Sequence, residues 1–360
     1  MTLRLAALLP VLATANPMTK TTTSLTSVLI VDDEPAVRDL MSRWVSALGL
    51  HPQTAANANE ALATLRTHHY DLAVIDVMMP GHDGLWLANE VRRDHPHTAV
   101  VISTAYTELL DGEDQPRPVA DYLIKPFQRE RFALAVDRGR QWRKQALEEV
   151  QWHAVLSVEL HDRASHVSAI VRDRSEAGEN ESDVLMSLAE QRLPDTVSHS
   201  ERVARYAQSV ARELEVDGEL GRGLEIAARL HDIGKIAMPD ALLTKPSPLT
   251  PGEMAITRQH VDVGADILEG TKTLADAAPI VRTSHEWFGG GGYPCKIGGA
   301  EIPVASRIIA VVDAYDAMTQ DRAYGIRFDS SDAVAELLRC SPSQFDPEVL
   351  AAFLAVLGRH

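Results

Sequence analysis

The chain is poor in cysteine, in aromatic residues and in cations, and each shortage excludes a class of protein. Two cysteines, Cys295 and Cys340, provide neither a disulfide framework nor zinc-ligand spacing, which favours a reducing, cytoplasmic compartment. Lys and Arg number 35 against 51 Asp and Glu, a net charge of -16 that argues against direct DNA binding. No apolar run is long enough to span a membrane. The 360 residues, 45% hydrophobic, suffice for two domains with ordinary cores.

The first 26 residues predict a disordered extension. An apolar run over 5–13 loosely resembles a signal peptide, but a proline interrupts it and the sequence downstream is typical of an intracellular protein. Met18, followed by a Thr/Ser-rich segment, is an alternative start that would make residues 1–17 an extension of the gene model.

Residues 27–140 alternate short apolar runs with helical patterns, which predicts an α/β domain with a five-stranded, parallel, doubly wound sheet. The apolar runs with the clearest bounds are Ser27–Val31, Leu72–Ile75, Ala99–Ser103 and Tyr122–Ile124. Such sheets carry their functional residues at the carboxyl ends of the strands. Here those ends supply Asp32, Asp33, Asp76, Thr104 and Lys125.

Three carboxylates at one sheet edge repel one another unless a hard cation such as Mg²⁺ binds them. Lys125 can offset the charge of an added phosphoryl group, and Thr104 can hydrogen-bond it. In this pattern the segment resembles a two-component receiver domain. The resemblance implies that Asp76 is phosphorylated by a cognate sensor histidine kinase and that Asp32 and Asp33 bind Mg²⁺, with Asp33 the direct ligand. It also implies that Thr104 and Tyr122 form the switch pair.

The receiver pattern has one departure, between Ala105 and Asp121. A receiver domain carries a full helix there, on its signalling face, whereas this sequence has Gly112, Pro116 and Pro118. Proline removes a helix donor and clashes with the preceding turn. The sequence therefore leaves open how phosphorylation is transmitted.

A long helix is predicted from Gln128 to about Arg172, where the sequence is free of proline and rich in Arg, Glu, Ala and Leu. We assign residues 141–194 to a helical linker, with a break between Asp173 and Asp183. Its apolar stripe has two interpretations: it packs against the same helix of a second copy in a homodimer, or against the protein's own domains.

Residues 195–360 show only helical periodicity and predict an all-α domain. His231 and Asp232 close an apolar helix that Gly234 ends, and Lys235 follows. Adjacent His and Asp can bind one metal while the carboxylate bridges to a second. Further candidate ligands recur in helical segments: Asp195, His199, His260, His285 and Asp313. Of these, His260 is predicted to lie in a helix that a capping box at Thr250 opens.

This region resembles the HD-GYP phosphodiesterases of the HD-domain phosphohydrolase fold over nearly its full length. The matching segments are 231–235, 239–240, 245–246, 249–250, 292–294, 301–303, 307–308, 313–317 and 345–347. The resemblance implies hydrolysis of cyclic di-GMP to pGpG, GMP or both, with two ions of iron or manganese. The first ion would be held by His199, His231, Asp232 and Asp313, and the second by Asp232, His260 and His285. Lys235 would contact phosphate, and Tyr293 and Arg322 the dinucleotide.

Three positions depart from the family. Ser284 replaces the first of two histidines, Asp195 replaces a longer glutamate, and Gly289 lies where the family has a charged loop. These losses keep two alternatives open. One is a weak or inactive member that signals by binding nucleotide or protein, which Ser284 favours. The other is hydrolysis of a different phosphoester, which the altered loop favours.

Overall fold

The structure is a computed structural model that describes residues 27–105, 119–216, 218–320 and 327–358, without the side chains of Asp195 and Glu219. The predicted extension over 1–26, the interrupted segment between Ala105 and Asp121 for the most part, and Arg322 lie outside the described residues. Among the helices that are described, none is both long and apolar enough to cross a membrane.

The first unit contains a five-stranded parallel sheet, as predicted. Its strands are β1 (Ser27–Val31), β2 (His51–Ala55), β3 (Leu72–Asp76), β4 (Ala99–Thr104) and β5 (Asp121–Ile124). Their order is β2-β1-β3-β4-β5. The helices between them are α1 (Pro35–Ala47), α2 (Ala58–Leu65) and α3 (Gly84–Asp94).

Both faces of the sheet are buried, which explains why the central strands are continuous apolar runs. Leu29 of β1 lies in a core with Ala61 of α2 and Leu87 of α3. The neighbouring Val28 lies in a separate core on the other face with Met41 of α1. Alternate residues of each strand thus meet different helices, and the sheet is doubly wound.

A single helix of 48 residues, α4 (Arg129–Glu176), follows the sheet. The prediction of one long helix starting near Gln128 is confirmed. The chain divides into compact units between Val150 and Gln151. In the second unit, the buried residues Leu156 and Leu160 of α4 belong to the helical core.

The second unit is helical throughout its described residues. Its further α-helices are α5 (Glu181–Arg192), α6 (Pro194–Glu213), α7 (Gly218–Leu230), α8 (Asp240–Leu243), α9 (Pro251–Arg258), α10 (His260–Glu269), α11 (Ala278–Arg282), α12 (Val304–Thr319), α13 (Ser330–Cys340) and α14 (Pro347–Leu357). One continuous apolar core, which includes Val203, Leu230, Ile309 and Phe353, joins α6, α7, α12 and α14.

Two local predictions need correction. Gly234 does not end the helix that precedes it, because α7 ends at Leu230 and Gly234 lies inside a 3-10 helix, Ile233–Ala237. A Cβ atom on Gly234 would lie 1.9 Å from the carbonyl oxygen of His260, so glycine is needed for close backbone packing. His260 is not in the helix opened by the capping box of Thr250: that helix is α9, and His260 begins α10.

Candidate phosphoacceptor site and metal centre

The carboxylates of the first unit converge at the carboxyl end of the sheet. One oxygen from each of Asp32, Asp33 and Asp76 lies within 4.8 Å of the others. The Nζ atom of Lys125 lies 2.7 Å from Oδ1 of Asp76 and 2.9 Å from Oδ2 of Asp32. β1, β3 and the residue after β5 thus bring together four of the residues singled out in the sequence.

The pocket raises the pKa of both Asp76 and Lys125. Burial raises the pKa of Asp76, and the hydrogen bond and charge of Lys125 offset that rise only in part. The pKa of Lys125 is raised, because its hydrogen bonds to Asp32 and Asp76 outweigh the lowering effect of burial. Lys125 therefore stays a cation beside the acceptor oxygen. Asp76 is 4% exposed, so an anhydride formed there would be shielded from water.

The predicted switch residues lie on the adjacent strands. Thr104 ends β4 and is fully buried, and its backbone oxygen accepts a hydrogen bond from the backbone N–H of Lys125 at 2.8 Å. Tyr122 on β5 is partly buried against the apolar core that β1 and α3 share. The contact expected between the Thr104 hydroxyl and a phosphoryl group stays a prediction.

In the second unit, the first donor group consists of His199, His231 and Asp313, with one ligand atom from each within 4.8 Å of the others. Oδ1 of Asp313 lies 3.1 Å from Nε2 of His199 and 3.8 Å from Nε2 of His231. These residues come from α6, the end of α7 and α12, which the apolar core holds together.

A second donor group consists of Asp232, His260 and His285. Nε2 of His260 lies 3.4 Å from Oδ1 of Asp232 and 3.3 Å from Nε2 of His285. Asp232 also approaches the first group, since its Oδ2 atom lies 3.7 Å from Nε2 of His231. The two oxygens of one carboxylate therefore face different donor groups.

Three histidines are oriented by hydrogen bonds through their other ring nitrogen. Nδ1 of His231 lies 2.9 Å from the carbonyl oxygen of Ala228, and Nδ1 of His260 lies 2.8 Å from that of Thr257. Nδ1 of His199 bonds a carboxylate instead. In a neutral ring whose Nδ1–H is donated in this way, Nε2 carries the lone pair and points to the cluster, the arrangement of metal-ligating histidines.

The hydrogen bonding and the ligand chemistry of the cluster fit a bound metal ion. Nε2 of His231 is buried and has no hydrogen-bond partner in the described part of the chain. A buried polar atom without a partner costs free energy that a metal bond would recover. Imidazole and carboxylate ligands suit iron or manganese. The donor set therefore fits one or two such ions.

Burial and nearby carboxylates shift the pKa values of His199 and His285 in opposite directions. Burial lowers the pKa of His199, but hydrogen bonds to Asp313 and Asp316 outweigh it and raise the pKa to about 9. Burial lowers the pKa of His285 to about 4, although Asp313 opposes the shift. His285 is thus neutral at physiological pH, the form that can bind a metal ion.

The predicted substrate contacts surround the second donor group. Nζ of Lys235 lies 2.6 Å from Oδ2 of Asp232, so the lysine already neutralises that carboxylate. The ring of Tyr293 is stacked on that of His285, with centroids 5.2 Å apart and planes inclined by 8°. Burial raises the pKa of Tyr293 to about 12, with help from Asp232, so the phenol remains a hydrogen-bond donor.

The departures from the family pattern have specific places. The Ser284 hydroxyl is buried and donates a hydrogen bond to the carbonyl oxygen of Val281 in α11 at 2.8 Å, so it stabilises the end of that helix and not the cluster. Asp195 lies in α6, but its side chain is outside the described residues, as is Arg322. Their predicted roles stay predictions.

Three residues that support the site were not predicted. Asp316 accepts a hydrogen bond from His199 and two from Arg202, whose nitrogens lie 2.6 and 2.8 Å away. Glu286 is buried and accepts hydrogen bonds from the backbone N–H groups of Cys295 and Lys296, just after Tyr293. Helical spacing from Asp313 is a signal for Asp316; Arg202 and Glu286 have none.

Comparisons with known proteins agree with this architecture. Residues 28–137 match the family model of the response regulator receiver domain, and residues 183–349 match that of the HD domain. The chain is 31% identical to a cyclic di-GMP phosphodiesterase of Thermotoga maritima, over 91% of this chain and 89% of that protein. It is 32% identical to the cyclic di-GMP phosphodiesterase response regulator RpfG of Xanthomonas campestris pv. campestris, over 91% and 87%. A 3'3'-cGAMP-specific phosphodiesterase of Vibrio cholerae is 33% identical, over 47% of this chain and 33% of that protein.

Proposed function

We propose that this chain, which belongs to the family of response regulators that join a receiver domain to an HD domain of the HD-GYP type, hydrolyses cyclic di-GMP to pGpG, GMP or both. The observation that carries the proposal is the position of Asp232 between two donor groups, with one oxygen toward each. Two nearby ions can stabilise both the attacking and the leaving oxygen in phosphodiester hydrolysis.

His199, His231, Asp232 and Asp313 would hold one ion, and Asp232, His260 and His285 the other. When bound, iron or manganese ions neutralise phosphoryl oxygens and activate the attacking water. Lys235 adds a positive charge beside Asp232, and the protonated Tyr293 hydroxyl donates a hydrogen bond to the substrate. The buried position of Asp232 and His260 limits access of bulk water to the site.

The proposal is tested by anaerobic purification, a count of bound metal, and an assay of cyclic di-GMP turnover with Fe²⁺ or Mn²⁺. We expect between one and two ions per chain and turnover that depends on them. His231→Ala should lose both metal and turnover, whereas His161→Ala, a change of an exposed histidine on α4, should lose neither. One ion or fewer together with no turnover would contradict the proposal.

Two observations each favour an alternative function. Ser284 supplies no ligand to the second donor group, which favours a nucleotide receptor with weak hydrolysis. The glycine-rich loop from Gly289 to Gly292, together with the similarity to a 3'3'-cGAMP-specific enzyme, favours another cyclic dinucleotide. Parallel assays with 3'3'-cGAMP and pGpG distinguish these from cyclic di-GMP hydrolysis.

We also propose that phosphorylation of Asp76 by a sensor histidine kinase, with Mg²⁺ held by Asp32 and Asp33, controls the activity. The ion pair between Lys125 and Asp76 supports this, because it places a cation where the phosphoryl charge would develop.

A homodimer through α4 is a further proposal. Val155 and Val158 lie on the same helix and are 56% and 62% exposed, so they offer a hydrophobic surface that a second copy could cover. Sedimentation equilibrium of the wild type and of a Val155→Glu/Val158→Glu variant tests it. A dimer that the double variant converts to a monomer is the expected result, and a monomeric wild type would contradict the proposal.

A further inference from the structure

We propose that Arg258 binds the second phosphate of the substrate, the one that is not hydrolysed. The inference rests on the proposed function, because a cyclic dinucleotide carries two phosphodiester groups and only one of them can occupy the donor cluster. Arg258 lies outside the segments that match the HD-GYP family.

Arg258 is the last residue of α9, and its side chain is exposed beside the site. Its guanidinium carbon lies 5.0 Å from the centroid of the Tyr293 ring. Tyr293 in turn stacks on His285, whose Nε2 atom belongs to the second donor group. One aromatic ring therefore separates the cation from a candidate metal ligand.

Among the described residues, Arg258 has no anionic partner, unlike three other cations near the cluster. Those cations form ion pairs: Lys235 with Asp232, Arg202 with Asp316, and Lys245 with Glu253. Within the described ranges, no carboxylate lies at ion-pair distance from Arg258, and its recorded contact is with Tyr293. Its charge is thus available to a ligand.

The contact with Tyr293 also selects the kind of ligand. A cation–π contact with an aromatic ring uses no N–H donor for an acceptor oxygen, so the guanidinium donors remain available to a ligand. Those donors match two oxygens of a phosphate in a bidentate arrangement. The neighbouring loop from Trp287 to Gly292 contains no Lys or Arg that could perform this role.

The test compares a ligand with two phosphates and a ligand with one. Wild type, Arg258→Ala, Arg258→Lys and the control Arg222→Ala, an exposed arginine of α7, are assayed as manganese-loaded full chains. KM and kcat are measured for cyclic di-GMP and for bis(4-nitrophenyl) phosphate. Calorimetry gives the Kd of cyclic di-GMP at several salt concentrations, and metal content is measured for every variant.

We expect Arg258→Ala to raise KM and Kd for cyclic di-GMP by about tenfold or more, as for loss of a charge-assisted hydrogen bond. Its kcat, its metal content and its KM for bis(4-nitrophenyl) phosphate should match those of the wild type. The salt dependence of cyclic di-GMP binding should become shallower, since one cation fewer meets the ligand. Arg258→Lys should have KM and Kd values for cyclic di-GMP between those of the wild type and Arg258→Ala, because lysine keeps the charge without the planar donors.

The other outcomes overturn one of the two proposals. Unchanged cyclic di-GMP binding in Arg258→Ala, or an equal loss for both ligands, rules out a contact with the second phosphate. If the wild type binds cyclic di-GMP without hydrolysing it and Arg258→Ala loses that binding, the proposed hydrolysis fails while the role of Arg258 stands. A wild type that neither binds nor hydrolyses cyclic di-GMP overturns both.

Discussion

Nδ1 of His199 lies 2.6 Å from Oδ2 of Asp316, a buried carboxylate that Arg202 binds through two nitrogens. The carboxylate fixes the orientation of the imidazole and makes Nε2 a more basic ligand. Arg202, in turn, keeps the carboxylate ionised. The first donor group is thus held by a chain of polar contacts between α6 and α12.

Replacing Asp316 with Asn should weaken metal binding about 10- to 100-fold, because the amide is neutral and cannot serve both His199 and Arg202 as an acceptor. The measurement is a competition titration of Mn²⁺ against a chelator. Asp276→Asn, at an exposed position, is the control. Equal Mn²⁺ affinity in both variants would show that Asp316 does not support the ligand.

Gly234→Ala should destabilise the protein by about 1–3 kcal/mol and reduce its metal content. The added methyl group would lie 1.9 Å from the carbonyl oxygen of His260 and 2.7 Å from the backbone nitrogen of Gly264, so α10 would have to move. Gly270→Ala is the matched control, since its nearest contact would be an ordinary 3.5 Å. Thermal unfolding and metal analysis check both variants. A Gly234→Ala protein with the melting temperature and metal content of Gly270→Ala would argue against the close packing.

Ser284→Ala should leave the number of bound ions unchanged. The hydroxyl is bonded to the carbonyl oxygen of Val281 at the end of α11, so its loss removes one hydrogen bond, worth about 1 kcal/mol, and no metal ligand. His285→Ala, one residue further, should lose the second ion. Metal analysis of the two variants separates the roles, and a loss of metal in Ser284→Ala would make the serine a ligand after all.

Glu181 should make stability depend on pH in the acid range. The carboxylate accepts hydrogen bonds from Ser175, Lys272 and Thr273. Burial alone would raise its pKa, but these bonds, with that of the Thr273 hydroxyl the strongest, lower it from 4.5 to about 2. The stabilisation, up to about 3 kcal/mol, is therefore complete above pH 4.5 and declines as the pH falls toward 2.

The test for Glu181 is the difference in unfolding free energy between wild type and Glu181→Gln across that range. Glutamine does not titrate, so the difference should be largest near pH 7 and shrink below pH 4.5. Glu190→Gln, at an exposed position of α5, should show no such trend. A pH-independent difference for Glu181→Gln would contradict the assignment.

Asp76→Asn should abolish any effect of a small-molecule phosphodonor on turnover. In the wild type the donor should change the rate, because a phosphoryl group on Asp76 adds negative charge beside Lys125 and draws the lysine to a new acceptor. Asp39→Asn, at an exposed position of α1, should respond like the wild type. A phosphodonor response that persists in Asp76→Asn would refute control through this residue.

The sequence predicts most of the receiver fold and fails where burial is partial. The runs that became β1, β3 and β4 are buried on both faces and therefore read as continuous apolar segments. β2, His51–Ala55, is an edge strand with exposed and partly buried residues, and its polar composition hid it. Its place follows from pairing with β1, which no local pattern contains.

In the candidate metal centre, the sequence predicted which donor side chains come together but not the residues that orient them. His231 and Asp232 stand out as a pair, and the resemblance to the HD-GYP family implies the others. Asp316 lies 117 residues from His199 along the chain, so their hydrogen bond is a property of how α6 and α12 pack. Glu286 was passed over because its partners are backbone N–H groups, which every residue but proline carries.

The shared carboxylate of Asp232 makes the two donor groups a single thermodynamic unit. If two ions bind as proposed, an ion held by one oxygen would withdraw electron density from the other and would fix the rotamer that both groups need. Occupancy of the first position would then change the affinity of the second, and by linkage the reverse would hold equally. The concentration of available metal would then regulate the activity of this protein independently of phosphorylation at Asp76.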